Sequence, residues 1–163
     1  YDTELENSSW QRSHWNSLCM NYSKAPYYKD ILELLEPVYL KNDYTHISTV
    51  NLDLITTICD YLGITTKITS SRDYDIVDGK TERLVSICEQ ANADQYWSGQ
   101  AASCYIKNEL LEDKNIDLKW MTYDGYEEYP QLWGDFIHQV SVLDLLFNCG
   151  KQSTQYMKSF TNG

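Results

Sequence analysis

Residues 79–106, GKTERLVSICEQANADQYWSGQAASCYI, decide how the rest of the chain is read. Leu84, Ile87, Cys88 and Ala91 fall at i, i+3, i+4 and i+7, so the first half predicts a helix with one apolar face. Asn92-Ala-Asp breaks that period. Gln95-Tyr-Trp-Ser is short and aromatic, which suits a buried strand, and Gly99 frees the backbone to turn sharply into a second helix. Loop, helix, strand, Ser-Gly turn and helix make half of a βαβ arrangement. A turn at the carboxyl end of a strand and the amino end of a helix is where open α/β folds place ligands. The stretch says where a site lies and is silent on which reaction occurs there.

Working outward toward the amino end, Ser8 and Ser9 are candidate caps for a helix whose face is Trp15, Leu18, Cys19 and Tyr22. Ala25-Pro26 stops it. Ile31, Leu34, Leu35 and Val38 mark a second helix that Pro37 should end or kink. Ile55, Ile58, Cys59 and Leu62 mark a third, stopped by Gly63. Residues 64–70, ITTKITS, are β-branched at nearly every position and predict a strand, followed by a polar loop over 71–79.

Toward the carboxyl end, residues 100–112 predict a helix apolar on most of its circumference, hence buried on more than one side. Residues 116–123, IDLKWMTY, alternate as a third strand, and residues 141–149, SVLDLLFNC, predict a last buried helix stopped by Gly150. The order strand, helix, strand, helix, strand implies an α/β fold with a mostly parallel sheet and flanking helices, Rossmann-like and three-layered, in one domain over residues 1–150. The tail, residues 151–163, has no period and is expected to be disordered. Three strands are few for a parallel sheet, which needs both faces covered. With the start at Tyr1 rather than Met and the overly apolar helix, this predicts a fold incomplete at its amino end.

The 163 residues are enough for one domain with a real core. A net charge of −11 argues against nucleic acid and against an anionic membrane surface as partners, because both need a basic face. A small anion would have to be held by a few placed cations and backbone N–H groups. The five cysteines, Cys19, Cys59, Cys88, Cys104 and Cys149, are odd in number and widely spread, the pattern of free thiols in a reducing compartment. With no signal peptide and no apolar run near about eighteen residues, a cytoplasmic location without membrane insertion is expected.

Five motifs then carry a family resemblance: Y-x-K-A-P-Y-Y at 22–28, S-S-x-D at 70–73, G-K-T-E-R-L at 79–84, Y-W-S-G-x-A-A-x-x-Y at 96–105, and Y-P-Q…F…S-V-L-D-L-L-F-N-C-G at 129–150. In this order and spacing they resemble the WbqC-like family over residues 10–150. The resemblance implies a protein of bacterial O-antigen and other surface-polysaccharide clusters, with a suggested role in adding an aminoacyl group, glycyl in particular, to an amino sugar. Family members begin with a strand and a Gln-Pro-x-Tyr-x-Pro segment that is absent here. That opening resembles, by analogy, the phosphate-binding histidine motif of nucleotidylyl transferases. ATP or an activated acyl donor is the cofactor this implies, a nucleotide-linked sugar the substrate, and a homo-oligomer or a biosynthetic protein the partner.

Each candidate site has a structural alternative. Ser98 and Gly99 hold a phosphate or carboxylate, or form a packing turn with Ser98 as an N-cap. Lys80 and Arg83, at i and i+3, clamp an anion, or form a solvated pair with Glu82. Ser70, Ser71 and Asp73 line the same sheet edge as Ser98 and bind a sugar or an acceptor amine, or simply make a turn. Ser141, Asp144 and Asn148 form a polar stripe that faces solvent, or faces a wet pocket with Tyr105 and Gln131. His14 borders an apolar face as a general base or a structural histidine, and His14, His46 and His138 have no metal-like spacing. Asp73 and His14 are thus the catalytic candidates, and no metal is expected. Neither a Ser-His-Asp arrangement nor a phosphate-binding glycine loop is visible. The competing reading is a binding or assembly protein that uses the aromatic loop over 123–136.

Overall fold

The apolar periods of the amino-terminal half become helices, each ended where its sequence changes. The computed structural model describes residues 3–6 and 9–161, so the candidate cap Ser8 lies outside the described residues. The chain divides into two compact units, one formed by Tyr1–Thr65 with Tyr126–Gly163 and the other by Thr66–Gly125.

The first unit is helical. α1 (Ser9–Tyr22) buries Gln11, whose amide donates to the carbonyls of Val38 (3.3 Å) and Asn42 (2.8 Å). α2 (Tyr28–Glu36) buries Ile31 and Leu35. Pro37 ends α2, as expected, though without stopping the helical run. It opens a π-helical turn over Pro37–Lys41, in which Asn42 N–H reaches back to the Pro37 carbonyl at 3.1 Å. A proline lacks the N–H of an α-helical bond and crowds the preceding turn, and a wider turn relieves both. α3 (Ile47–Leu62) ends at Gly63, φ +74°, with Gly63 N–H on Asp60 O and Ile64 N–H on Cys59 O. Those two bonds satisfy the last carbonyls of the helix.

The chain returns to this unit in α6 (Val142–Cys149), capped by the Ser141 hydroxyl accepting from Leu143 N–H. Leu146 and Phe147 are fully buried with Ile31, Leu35, Tyr39 and Leu62, and Trp15, Leu18 and Tyr22 pack against them. Complete burial of each such side chain stabilises the unit by roughly 1.5–3 kcal/mol. Beyond α6 the chain is helical rather than formless: a 3-10 segment spans Gly150–Tyr156 with Ser153 fully buried, and α7 spans Lys158–Thr161.

The second unit holds the sheet. After a 3-10 turn at Ser71–Asp73 come α4 (Lys80–Gln90), β1 (Gln95–Ser98), a 3-10 segment at Gln100–Cys104, α5 (Asn108–Glu112) and β2 (Asp117–Trp120). β1 and β2 are parallel, with Gln95 opposite Asp117 and Ser98 opposite Trp120. Val85, Cys88, Leu111 and Ile116 form the core, covered by Tyr96, Ile106 and Leu118.

Three expectations are corrected. Residues 64–70 form no strand: they are almost wholly exposed and have no ladder partner among the described residues, and β-branched residues favour a strand only where a sheet receives them. Residues 100–112 are not one helix, because they break at Tyr105 and Lys107, whose carbonyl and N–H are both taken by the Thr81 hydroxyl. The apolar stripe of α4 is rotated from the expected one: Thr81, Val85 and Cys88 are buried, while Ala91 is exposed. The result is a mixed fold of helices with a small parallel two-stranded sheet, in place of three strands.

Candidate functional site

α4 precedes β1 and packs with it on one core, and α5 lies between β1 and its parallel neighbour β2. In this arrangement the amino end of α4 lies at the carboxyl end of the strands. The hydrogen bonds agree: Thr81, in the first turn of α4, donates to the Tyr105 carbonyl at 3.0 Å and accepts from Lys107 N–H at 3.2 Å. Lys80 and Tyr105 are thereby brought together.

Lys80 places its ammonium 5.3 Å from the centre of the Tyr105 ring. Arg83 donates through Nε to the Val77 carbonyl at 3.4 Å. Neither forms an ion pair with a carboxylate among the described residues, unlike Lys107, Lys114 and Lys119, which pair with Glu82, Glu89 and Asp117. Glu82 therefore does not quench its helix neighbours as expected. It is turned to Lys107 at 3.2 Å, and backbone N–H groups of its own turn, followed by Lys107, hold its carboxyl below the usual range.

Ser98 is 8 % exposed, and its side chain has no hydrogen-bond partner among the described residues. Gly99 has φ −75° and ψ 150°, an extended conformation open to any residue, and nothing lies within 4 Å of an added Cβ. The turn after β1 is therefore made without glycine's special freedom, and it leads into a five-residue 3-10 segment instead of a long helix.

Ser70, Ser71 and Asp73 are brought elsewhere. Asp75 N–H donates to Gln90, and Gln90 and Ser86 donate to the Asp75 carbonyl, so the loop over 71–79 runs back along α4 from its carboxyl end. An α4 of eleven residues is about 16 Å long, which separates the Ser70 turn from Lys80 instead of setting both at one sheet edge. In that turn Ser70 N–H donates to Asp73 and Arg72 N–H to the Ser70 hydroxyl, a reciprocal cap.

In the first unit, the stripe of α6 is not a solvent face. Asp144 accepts from the Tyr129 hydroxyl at 2.7 Å and from the Gln131 amide at 3.1 Å, and Asn148, buried, donates to the Asp144 carbonyl at 2.8 Å. Burial, with the Asp144 carboxylate, pushes the Tyr22 phenol up to about 12. Burial and the same carboxylate drive Tyr129 higher still, and burial followed by Asp144 raises the Cys149 thiol. Gln131 thus lies beside Asp144, while Tyr105 belongs to the other unit. His14 is exposed, with its ring edge-on to Trp10 at 5.4 Å, and Thr45 is bonded to the His46 ring.

Sequence reading missed Thr81 and Tyr129. Thr81 hides behind a helix period in which a threonine counts as polar, and Tyr129 sits in an aperiodic loop, although the Tyr-Pro-Gln motif contains it. All five cysteines are free, Cys88 and Cys149 buried and Cys104 exposed. Among the described residues no cluster of His, Cys, Asp and Glu is placed to hold a metal, and no helix is long and apolar enough to cross a membrane.

These features define a class: a mixed helical protein with a small parallel sheet, two cations without a carboxylate partner among the described residues at the start of α4, and an acid-phenol cluster in its helical unit. The chain belongs to the WbqC-like protein family, whose match covers residues 1–156. It is 42 % identical over 157 residues to the uncharacterised protein Rv1507c of Mycobacterium tuberculosis, covering 96 % of this chain and 68 % of that one. No solved structure matches it.

Proposed function

We propose that this protein acts in bacterial O-antigen or surface-polysaccharide synthesis, transferring an acyl or aminoacyl group, such as glycyl, to a nucleotide-linked amino sugar. The observation that carries the reading is the pair Lys80 and Arg83, unpaired with carboxylates in the first turn of α4, with the Tyr105 ring beside Lys80. Two cations with an aromatic ring alongside suit a sugar nucleotide's diphosphate and a flat or apolar portion. In this reading the two-stranded sheet is part of a Rossmann-like three-layer arrangement, and the protein works in the cytoplasm, without membrane insertion.

The sugar's amine attacks the activated acyl carbon, the N–C bond forms, and the leaving group departs with its electron pair. The amine's proton passes to Asp73, the catalytic candidate that lies in the same unit as Lys80 and Arg83. Activation of the acyl group falls to ATP or to a preformed acyl donor. Orientation and charge stabilisation are the protein's main contributions to such a step.

The test is calorimetric titration with a nucleotide-linked amino sugar and with ATP, on the protein and on a Lys80→Ala/Arg83→Ala variant. Heat from the first and none from the second supports the reading. Silence from both favours an assembly protein of the same pathway, binding a biosynthetic protein or a second copy of itself. That second reading draws on Tyr123 and Trp133, which are 76 % and 60 % exposed.

A further inference from the structure

We infer that the stretch 126–140 is a preformed docking surface for a basic segment of another protein, with Trp133 as its anchor. The inference rests on the assembly reading above and names that reading's surface and the chemistry of its partner.

Between β2 and α6, residues 121–141 carry neither helix nor strand. A loop longer than about 15 residues without secondary structure of its own is uncommon, and is usually either slack or functional. This one is tied at several points. The Gln131 amide donates to the Ile137 carbonyl and accepts from the Ile137 N–H, each at 2.9 Å, which closes residues 131–137 on themselves. Tyr129 and Gln131 both donate to Asp144 of α6, at 2.7 Å and 3.1 Å, and the rings of Tyr129 and Phe136 meet edge-on at 5.0 Å. The tip is held as well. The Trp133 indole N–H donates to the Asn21 carbonyl of α1 at 3.4 Å, and the Lys24 ammonium lies 5.5 Å from the Trp133 ring centre.

These ties hold large apolar side chains in water. Trp133 is 60 % exposed and Ile137 57 %, both inside the closed stretch. A side chain fixed before its partner arrives loses less freedom on binding, and tryptophan is among the residues that most often anchor interfaces. Charge selects the partner. Glu127, Glu128 and Asp135 are exposed and form no ion pair among the described residues, and residues 126–140 contain no lysine or arginine. A second copy would set these carboxylates against their equals in a chain of net charge −11, which opposes self-association through this face. A segment with lysine or arginine around an apolar side chain complements it.

The probe is a labelled synthetic amphipathic peptide of leucine and lysine, followed by fluorescence anisotropy. It is titrated with the whole chain, with Trp133→Ala, with Trp97→Ala and with Glu127→Gln/Glu128→Gln/Asp135→Asn, thermal melts showing each folded. Trp97, 57 % exposed in the other unit, controls for adhesion to any exposed tryptophan. The expected result is a dissociation constant raised about thirtyfold by Trp133→Ala, the scale of a lost interface anchor, and unchanged by Trp97→Ala. The triple variant should bind more weakly and with a flatter salt dependence, and a leucine-glutamate peptide should not bind. Equal binding by Trp133→Ala would overturn the inference, since the peptide would then be following net charge alone. Absence of binding, or equal binding of the glutamate peptide, would overturn it too. Sedimentation velocity of the chain alone is the last check. A dimer lost in Trp133→Ala would overturn the basic partner and leave the assembly reading standing, with a second copy as the occupant.

Discussion

The ring of Tyr22 lies flat on that of Phe147, with centroids 4.3 Å apart and planes 5° from parallel. The contact joins the last residue of α1 to the middle of α6, and Phe147 also receives Tyr27 N–H on its carbonyl at 3.1 Å. Phe147→Ala should therefore lower the stability of the helical unit by about 3–5 kcal/mol, and Phe147→Leu by clearly less, because leucine refills most of the void. Urea unfolding followed by tyrosine fluorescence measures both. A loss below about 1 kcal/mol for the alanine variant would contradict the packing described.

The phenol of Tyr22 gives a pH dependence with a definite sign. Its folded pKa is raised to about 12 from an ordinary value of 10.0, by burial and then by Asp144. Below the ordinary value both states are protonated and the stabilisation is fully present. Between the two values the unfolded phenol ionises while the folded one keeps its proton, so stability falls as pH rises. Tyr129 is shifted the same way and adds to the fall. The slope of urea midpoint against alkaline pH should flatten in Tyr22→Phe/Tyr129→Phe, and an unchanged slope would contradict the assignment.

Two glycines should respond oppositely to alanine. Gly150 has φ +55° and ψ −133°, a region nearly closed to other residues, and an added Cβ would collide with the Tyr27 ring. Gly150→Ala is expected to cost at least about 2 kcal/mol, combining backbone strain with displacement of a core aromatic. Gly99→Ala should be neutral or slightly stabilising, because its backbone suits alanine and the space is open. Thermal melts of both variants decide this. Destabilisation by Gly99→Ala would show a demand on that turn that its geometry does not contain.

The reciprocal cap of Ser70 and Asp73 makes a further distinction. If turn formation is their whole role, Ser70→Ala and Asp73→Ala should each lower stability by about 0.5–1 kcal/mol and leave ligand affinity unchanged. If Asp73 takes the acceptor's proton, turnover falls in Asp73→Asn while affinity holds. Steady-state kinetics alongside a melt separates the two.

Local signals served well where neighbours in sequence settle the outcome. Gly63 and the helices α1 to α3 were legible because a helix and its stop are decided within a few residues, although Ile55, expected on the apolar face of α3, is exposed. β1 and β2 were legible because Tyr96 and Leu118 there meet a core, although Trp97, expected to be buried, is exposed. Residues 64–70 misled because β-branched composition reports suitability for a sheet and nothing about whether a sheet is at hand. The break in residues 100–112 was invisible because its cause, the Thr81 hydroxyl, lies more than twenty positions away. The Asp144 cluster was half legible: its polar stripe showed, but the donors on Tyr129 and Gln131 arrive through a loop that no periodicity governs. Lys80 and Arg83 were legible as a pair, whereas the turn of Glu82 to Lys107 was not, because the two are 25 positions apart.

The helical unit is built from two stretches of chain, and that imposes an order on its birth. Tyr22 leaves the ribosome long before Phe147, and everything from Thr66 to Gly125 is made in between. The sheet-bearing stretch is continuous and can collapse on its own contacts, while the earlier helices wait with Ile31 and Leu35 uncovered. During that interval the nascent chain presents an apolar face with no native partner yet synthesised, which makes α1 to α3 the natural place for a chaperone to hold.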